Sequence, residues 1–460
     1  MDSIISSNKL ILSTIYFLQE HSVNELETFL KTNPEICSKD YFDKDWKISV
    51  FNYYQQENEF CLIYNTIYNS LTRLSKIEYK KLANKKKSIG KKLTTSLFKQ
   101  GIIVPSSIDE TTSYLQWVRF RASVPSSFVS LNITTTLKCN ARCLYCYEKG
   151  VKTKSFKKDN IDKLISFVEK RTQEGKASFL LNWFGGEPLL NQNLIDEITS
   201  VLEKKQISFS SYLITNGSLI TEKNIKEDFP KWKVKDIQIT LDGMRLAYER
   251  IKNYSVKNKY TFDHIINILN KLSETDIKIH IRLNISETNV NDILALTDFL
   301  QKQFSNNENI TYYPAFITGS NLQLTEEQKT NIVCSLFEII NDPQKMTISS
   351  RLTASPKFRP CMNNDPNSYS IDVDCNVYTC EHLVGRTESS IGNLENLSKQ
   401  INNQRSNFIL EDKCTKCVFL PKCMGGCISN KATGDELCMI EKYMIKGYLL
   451  YLSKFNSGKL

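Results

Sequence analysis

The sequence predicts an α/β protein: a partial (β/α)6 barrel, preceded by a small strand-then-helix module and followed by a cysteine-rich domain. Three observations carry this. From Phe128 onward, six short apolar runs alternate with amphipathic stretches of helical length. After about Arg351 that periodicity fades and loops rich in Asn, Asp and Lys appear. Ten of the 14 cysteines fall in two tight groups.

The barrel runs are "FVSLNITTT", "SFLLNWFGG", "SYLITNG", "DIQITLDG", "KIHIRLNIS" and "ITYYPAFITG". Helices are expected near 157–174, 190–204, 220–229, 261–273, 288–304 and 325–341. Strand–helix alternation of this kind means parallel strands with helical crossovers. Six units close only partly, and ligands then bind at the C-terminal ends of the strands. Gly185–Gly186, Asn216–Gly217, Asp242–Gly243 and Asn284 fall there.

Upstream, residues 1–46 read as a polar helical extension with Ile11, Ile15, Leu18, Leu26 and Leu30 at apolar positions. Residues 47–115 read as a separate module. Its stretch 48–74 has two strand-like halves joined by the polar turn "QQENE". A helix follows from Lys76. "LTTSLFKQGIIV" (93–104) reads as a helix stopped by Gly101 and then a short strand. "PSSIDETTSYLQ" (105–116) reads as a linker. The barrel is expected over 116–345 and the cysteine-rich domain over 346–460.

A chain of 460 residues implies about two to four domains. At 41% hydrophobic and 24% charged it can bury a core and is not a disordered chain. The net charge is +10, with seven lysines in "KKLANKKKSIGKK" (80–92). This run is either a solvated face or a site for an acidic partner. No arginine–aromatic interleaving accompanies it, so nucleic acid is not the expected partner. No apolar run reaches the roughly 18 to 20 residues of a membrane span. "LILSTIYFL" (10–18) is too short, follows Asp2 and is followed by no small-residue cleavage site, so a cytoplasmic location is expected.

In a reducing compartment disulfides explain 14 cysteines poorly, and tight grouping points to metal. Cys37, Cys61 and Cys334 read as packing residues. "LKCNARCLYCYEKG" (137–150) directly follows the first barrel strand and spaces Cys139, Cys143 and Cys146 as C-x3-C-x2-C. Structural zinc wants four ligands. Here no fourth Cys or His is near, and the next cysteine is Cys334. Three thiolates on an iron–sulfur cubane leave one iron open, the mark of a catalytic centre.

"CNARCLYCY" resembles the cluster motif of the radical S-adenosylmethionine enzymes. The resemblance implies a [4Fe–4S] cluster whose open iron takes S-adenosylmethionine and releases a 5′-deoxyadenosyl radical. Tyr145 matches the aromatic position near the adenine. "WFGGEPLL" (183–190) resembles the family's Gly-Gly-Glu-Pro motif, which implies that Gly185, Gly186 and Glu187 meet the cofactor's amino group. Asn216, Thr240, Arg250, Arg282 and Asn284, at or near later strand ends, are candidates for its ribose and carboxylate. Around Arg250, "AYERIKNY" departs from the His-containing stretch of the family.

Downstream, Cys361, Cys380 and "CTKCVFLPKCMGGC" followed by Cys438 resemble the SPASM extension of such enzymes. By resemblance Cys414, Cys417, Cys423 and Cys438 hold one auxiliary [4Fe–4S] cluster. Cys361, Cys380 and Cys427 hold another, giving three clusters in all. Cys375 stands where that family has glycine. The second auxiliary cluster is either open or closed by Cys375 or by substrate, and zinc is the rival for the whole domain. Glu381, beside Cys380, matches an acidic residue that serves some relatives as a base; His382 is a weaker candidate.

The strand-then-helix module resembles the winged-helix-like leader-recognition module of radical peptide maturases, whose edge strand pairs with a leader peptide. The resemblance covers roughly residues 48–440. It implies a maturase that crosslinks or oxidises side chains of a ribosomally made precursor with a leader. An electron donor such as flavodoxin or ferredoxin would feed it. The closest rival is a sulfatase-maturing enzyme that makes formylglycine; a non-catalytic iron–sulfur carrier or peptide-binding protein is a rival of another class.

Overall fold

The computed structural model describes residues 45–84, 89–106, 108–123, 127–317, 324–346, 356–357, 361–397, 410–427, 429–430, 438 and 440–455. The helical extension predicted before residue 46, Cys37 and the centre of the lysine run (85–88) lie outside them.

The N-terminal module has two small sheets. Strands β1 (Trp46–Ile48) and β5 (Ile103–Pro105) pair antiparallel. Strands β2 (Asn52–Gln56), β3 (Phe60–Asn65) and β4 (Ser70–Ser75) form an antiparallel meander. The expected two strand halves are thus three strands. The second turn, at 66–69, has no Gly or Pro signal; the Asn65 side chain makes it by accepting the backbone N–H groups of Ile67 (3.1 Å) and Tyr68 (2.9 Å). Helix Lys76–Ala83 starts in a Ser75/Glu78 capping box. Helix Lys91–Lys99 ends before Gly101, which takes φ +68. Cys61, Ile63, Leu74, Leu82, Leu97 and Ile103 form the module's core.

The expected linker is instead the start of helix Glu110–Ser123. Asp109 caps it, accepting the Thr112 N–H at 3.1 Å and the Thr112 hydroxyl at 2.8 Å. A stretch rich in Ser, Thr and Asp signals a helix N-terminus as strongly as a loop. Tyr114, Trp117 and Val118 are buried at i, i+3 and i+4. The expected boundary at 115/116 therefore falls inside a helix.

The barrel follows its predicted elements closely, except that the helix expected near 220–229 is a π-turn, Asn224–Asp228, followed by a short α-turn, Phe229–Lys231. Strands β6 (Phe128–Thr136), β7 (Ser178–Gly185), β8 (Phe209–Thr215), β9 (Val234–Leu241), β10 (Lys278–Ile285) and β11 (Ile310–Phe316) are parallel and adjacent in chain order. Helices Ile161–Gln173, Gln192–Lys204, Phe262–Ser273, Val290–Phe304 and Glu326–Ile340 cover one face. Val129, Leu131, Ile133, Leu181, Ile239 and Ile281 on that face are at most 1% exposed. The opposite face is polar: Asn132, Asn182, Gln238, His280 and Arg282 alternate with the apolar set. One further helix, Arg245–Lys252, was not expected.

The cysteine-rich region does not stand apart. Strand β12 (Ser368–Ile371) pairs parallel with β6, from Ser368↔Ser130 to Ile371↔Ile133. Strands β13 (Asn376–Tyr378) and β14 (Gly392–Asn393) extend the sheet to nine strands, in the order β11-β10-β9-β8-β7-β6-β12-β13-β14. Tyr369, Ile371, Val373 and Val377 are buried in the main core. The strands were not expected from the fading periodicity after Arg351: "SYSIDVDCNVY" has strand alternation that its Asp and Asn turn residues disguise. Helix Ile440–Phe455 packs on Glu326–Ile340, with Phe337 and Tyr448 ring centroids 5.0 Å apart.

The N-terminal module docks on this region. Tyr53 meets Phe419 with centroids 5.2 Å apart, and the Thr66 hydroxyl donates to the Val418 carbonyl at 2.6 Å. Among the described residues no helix is long and apolar enough to cross a membrane.

Candidate active site

The loop after β6 carries Cys139, Cys143 and Cys146, all partly buried free thiols. The end of β7 holds it from one side. Gly186 N–H donates to Thr136 O, and Glu187 N–H to Lys138 O, both at 2.9 Å. A Cβ at Gly185 would stand 2.2 Å from Thr136 O, and one at Gly186 2.4 Å from Lys138 O. The two glycines therefore let β7 lie against the cysteine loop's own backbone.

From the other side, the segment after helix Arg245–Lys252 binds the loop. Arg142 N–H donates to Lys252 O (3.0 Å), and Ser255 N–H to Asn140 O (2.8 Å). Asn216 joins the two sides: its amide donates to Asn140 Oδ1 at 2.8 Å and lies 4.0 Å from Cys139 Sγ.

Glu187 is completely buried. It accepts the Thr215 hydroxyl at 2.7 Å, Asn216 N–H at 2.9 Å and Leu189 N–H at 3.2 Å. Burial pushes its pKa up, against these hydrogen bonds and the Lys252 charge. Burial likewise pushes Cys139 up to about 12, with Glu187, Cys143 and Cys146 adding to the effect. The three thiols are thus close enough to feel one another.

Lys252 is the cation of this pocket, and sequence reasoning missed it. It is fully buried, 3.0 Å from Asp242 Oδ2 and 3.3 Å from the Tyr145 hydroxyl. Its charge pulls against the burial that raises Cys143. Arg250, the expected cation, is exposed on the same helix. The signal was present in Ala247, Tyr248 and Ile251, whose spacing turns one helix face inward and carries Lys252 with it. Asp242 also accepts from the Asn284 amide (3.3 Å), and Asn284 accepts from Arg282 Nε (2.9 Å). Thr240 is half-buried opposite Arg282 in the β9–β10 register. Tyr145, Glu187, Asn216, Arg282 and Asn284 thus come together round the cysteine loop, and Arg250 does not.

A second group lies over the polar face. Burial raises the pKa of Cys361 and of Cys380, and both are raised further by Cys427 and Glu381. These four side chains are neighbours. Glu381 Oε2 accepts the Asn132 amide at 3.3 Å, which brings it against the barrel's inner wall. Cys375 is elsewhere. It is buried in the β12–β13 turn, donates weakly to Asn160 O at 3.6 Å, and is pushed up to about 12 by burial, with Lys163, Asp372, Glu395 and Asp374 as its charged neighbours. It adopts φ +66, a left-handed conformation that glycine takes without strain.

A third group contains Cys414, Cys417 and Cys438, since the last two raise the pKa of the first after burial and Glu411. Cys423 lies beside Tyr114 of helix Glu110–Ser123. Among the described residues, no three Cys, His, Asp or Glu side chains converge closely enough to hold one metal ion. A cubane takes its thiolates at separate corners, so its ligands surround a volume rather than a point.

Residues 133–300 match the family model of the radical SAM superfamily. The chain carries a radical SAM domain. It is 23% identical over 338 residues to the radical SAM cyclopropyl synthase TigE of Paramaledivibacter caminithermalis, covering 63% of this chain and 67% of that protein. It is 27% identical over 177 residues to the Fe-coproporphyrin III synthase of Methanosarcina barkeri, covering 36% of this chain and 40% of that one. The solved structure of anSMEcpe with bound AdoMet has the same fold, at TM-score 0.55 and 18% identity, over 70% of this chain and 92% of its own.

A radical SAM domain implies a [4Fe–4S] cluster and S-adenosylmethionine. The donor set fits: three thiols on one loop, a buried carboxylate and a buried ammonium beside them, and glycines where a Cβ would displace the loop.

Proposed function

We propose that this radical SAM enzyme is a peptide maturase that crosslinks or oxidises side chains of a ribosomally made precursor. The observation that carries the reading is Glu381. A carboxylate from the cysteine-rich region reaches the barrel's inner wall at Asn132, on the same open face as the Cys139–Cys146 loop.

Cys139, Cys143 and Cys146 would hold the first cluster, and Glu187, Asn216 and Lys252 the amino-acid part of S-adenosylmethionine. When bound, that pair supplies a 5′-deoxyadenosyl radical, which takes one hydrogen atom from the substrate. Tyr145 and the Asp242–Asn284–Arg282 chain line the nucleoside side. Glu381 would accept the proton, and an auxiliary cluster the electron, that the substrate radical loses as it is oxidised.

Cys361, Cys380 and Cys427 would hold one auxiliary cluster; Cys414, Cys417, Cys423 and Cys438 would hold another. Cys375 has no place in either, so the three-thiolate set leaves a position for substrate. The β2-β3-β4 sheet would take the leader by strand addition at an edge. Low-potential electrons would come from a flavodoxin- or ferredoxin-like donor, in the cytoplasm. The peptide-bound form of anSMEcpe, with AdoMet and the Cp18Cys peptide, supports a peptide ligand for this fold (TM-score 0.54, 17% identity).

The test is intact-mass analysis of a precursor encoded beside the gene after anaerobic turnover. Loss of two hydrogen atoms, localised to a bond between two residues, is the expected result. An aldehyde on a single residue would instead establish formylglycine formation, and no 5′-deoxyadenosine at all would overturn the enzymatic reading.

A further inference from the structure

Asn132 and Asn182 face each other in register on β6 and β7, on the inner wall of the barrel, and both are nearly buried. Their hydrogen bonds fix each other. Asn182 Nδ2 donates to Ser130 Oγ at 3.0 Å and to Asn132 Oδ1 at 2.6 Å. With its oxygen committed, Asn132 turns Nδ2 outward. That nitrogen lies 3.3 Å from Glu381 Oε2, 3.5 Å from Ser370 Oγ and 3.5 Å from Met362 Sδ. The opposite amide orientation would set two oxygens against each other at Glu381 and two nitrogens at Asn182.

Met362 follows Cys361, and Glu381 follows Cys380. One amide of the barrel therefore touches a neighbour of two of the three cysteines in that group. Beside the β6–β12 ladder, this nitrogen is a side-chain link from the first barrel strand to the cysteine-rich region.

We propose that Asn132, oriented by Asn182, is the positioning residue that fixes Glu381 over the barrel mouth. The proposal rests on the reading of Glu381 as proton acceptor but concerns its placement. A donor is required at position 132, because Glu381 presents acceptors. Shape alone does not suffice, and an isosteric side chain without the donor separates the two.

The test uses the full-length, anaerobically reconstituted protein. Hydrogen–deuterium exchange is followed at Leu383 and Val384, whose N–H groups close the turn at Glu381 by donating to Cys380 O and Glu381 O. In Asn132→Asp the two carboxylates repel, and exchange there accelerates at least tenfold. Asn182→Ala frees the Asn132 amide and accelerates it in the same direction. Asn132→Asp combined with Glu381→Gln inverts donor and acceptor and restores protection. Ser370→Ala leaves exchange unchanged.

Formation of 5′-deoxyadenosine from S-adenosylmethionine with dithionite stays within twofold of wild type in Asn182→Ala. Asn132→Asp with wild-type exchange at Leu383 and Val384 overturns the proposal, as does failure of the double variant to restore protection in a folded, iron-loaded sample. Wild-type protein that makes no 5′-deoxyadenosine would sink the functional reading while leaving this exchange pattern to be judged separately.

Discussion

Tyr147 lies flat against His382, with ring centroids 4.3 Å apart and planes 6° from parallel. Phe184 at the end of β7 continues the stack, 6.5 Å from Tyr147 and 8° from parallel. Tyr147 follows Cys146, and His382 is two residues from Cys380. A pair of rings thus ties the first cysteine loop to the second cysteine group. Stacked pairs contribute about 0.5–1.5 kcal/mol beyond their buried area. Tyr147→Ala should raise native-state proteolysis in the 381–391 segment by about three- to tenfold. Tyr147→Phe should leave it unchanged.

Gly186 has no room for a side chain. A methyl group would stand 2.4 Å from Lys138 O and 3.1 Å from Cys139 Cβ. Gly186→Ala must therefore push the cysteine loop off β7. Iron and sulfide analysis should show the first cluster lost from most molecules while the auxiliary iron remains. Full iron loading in Gly186→Ala would show that the loop accommodates the methyl group.

Lys252 and Asp242 form a buried pair. Removing one partner of such a pair costs about 3–5 kcal/mol, because the other charge is left uncompensated. Lys252→Met should lower the thermal midpoint markedly, and Lys252→Met with Asp242→Asn should recover most of it. S-adenosylmethionine binding, followed by equilibrium dialysis, should stay lost in both. Burial opposes the lysine's charge, but Asp242, Tyr145 and Cys143 outweigh it and raise its pKa well above the usual value. The lysine's part in the pair is therefore full below about pH 10.4 and is lost only as pH rises through the higher folded value.

Cys375 is predicted to be dispensable for metal. Cys375→Ala should keep wild-type iron and sulfide content, whereas Cys361→Ala and Cys427→Ala should each lose auxiliary iron. Cys375→Gly relieves a left-handed conformation that costs a residue with a Cβ about 1–2 kcal/mol, at the expense of a small cavity. Reduced iron in Cys375→Ala would reassign the thiol to the cluster.

The barrel was legible because its code is local. Each strand's alternation and each helix's apolar stripe can be read within a short window, and the six strands matched their expected positions. The cysteine loop and Gly185–Glu187 were legible for the same reason, being contiguous motifs. What escaped is non-local. Lys252 became a pocket residue only when helix Arg245–Lys252 turned it toward Asp242 across the end of β9. The Asn132 amide nitrogen gained its partners from residues 230 or more positions away. Helix Glu110–Ser123 was hidden by a cap that reads as a loop, and β12 by turn residues that broke up its short alternation.

Strand β6 has both edges occupied, by β7 on one side and by β12 on the other. Strand β11, at the far end of the sheet, has among the described residues one bridge partner beyond β10, Met346. Among the described residues the first and last barrel strands do not pair with each other, so the sheet is an open trough rather than a closed cup. A cup limits its contents by volume. A trough limits only the width of what lies across it, so a polymer can enter at one rim and leave at the other. Geometry then sets no upper length on a polymer lying across it.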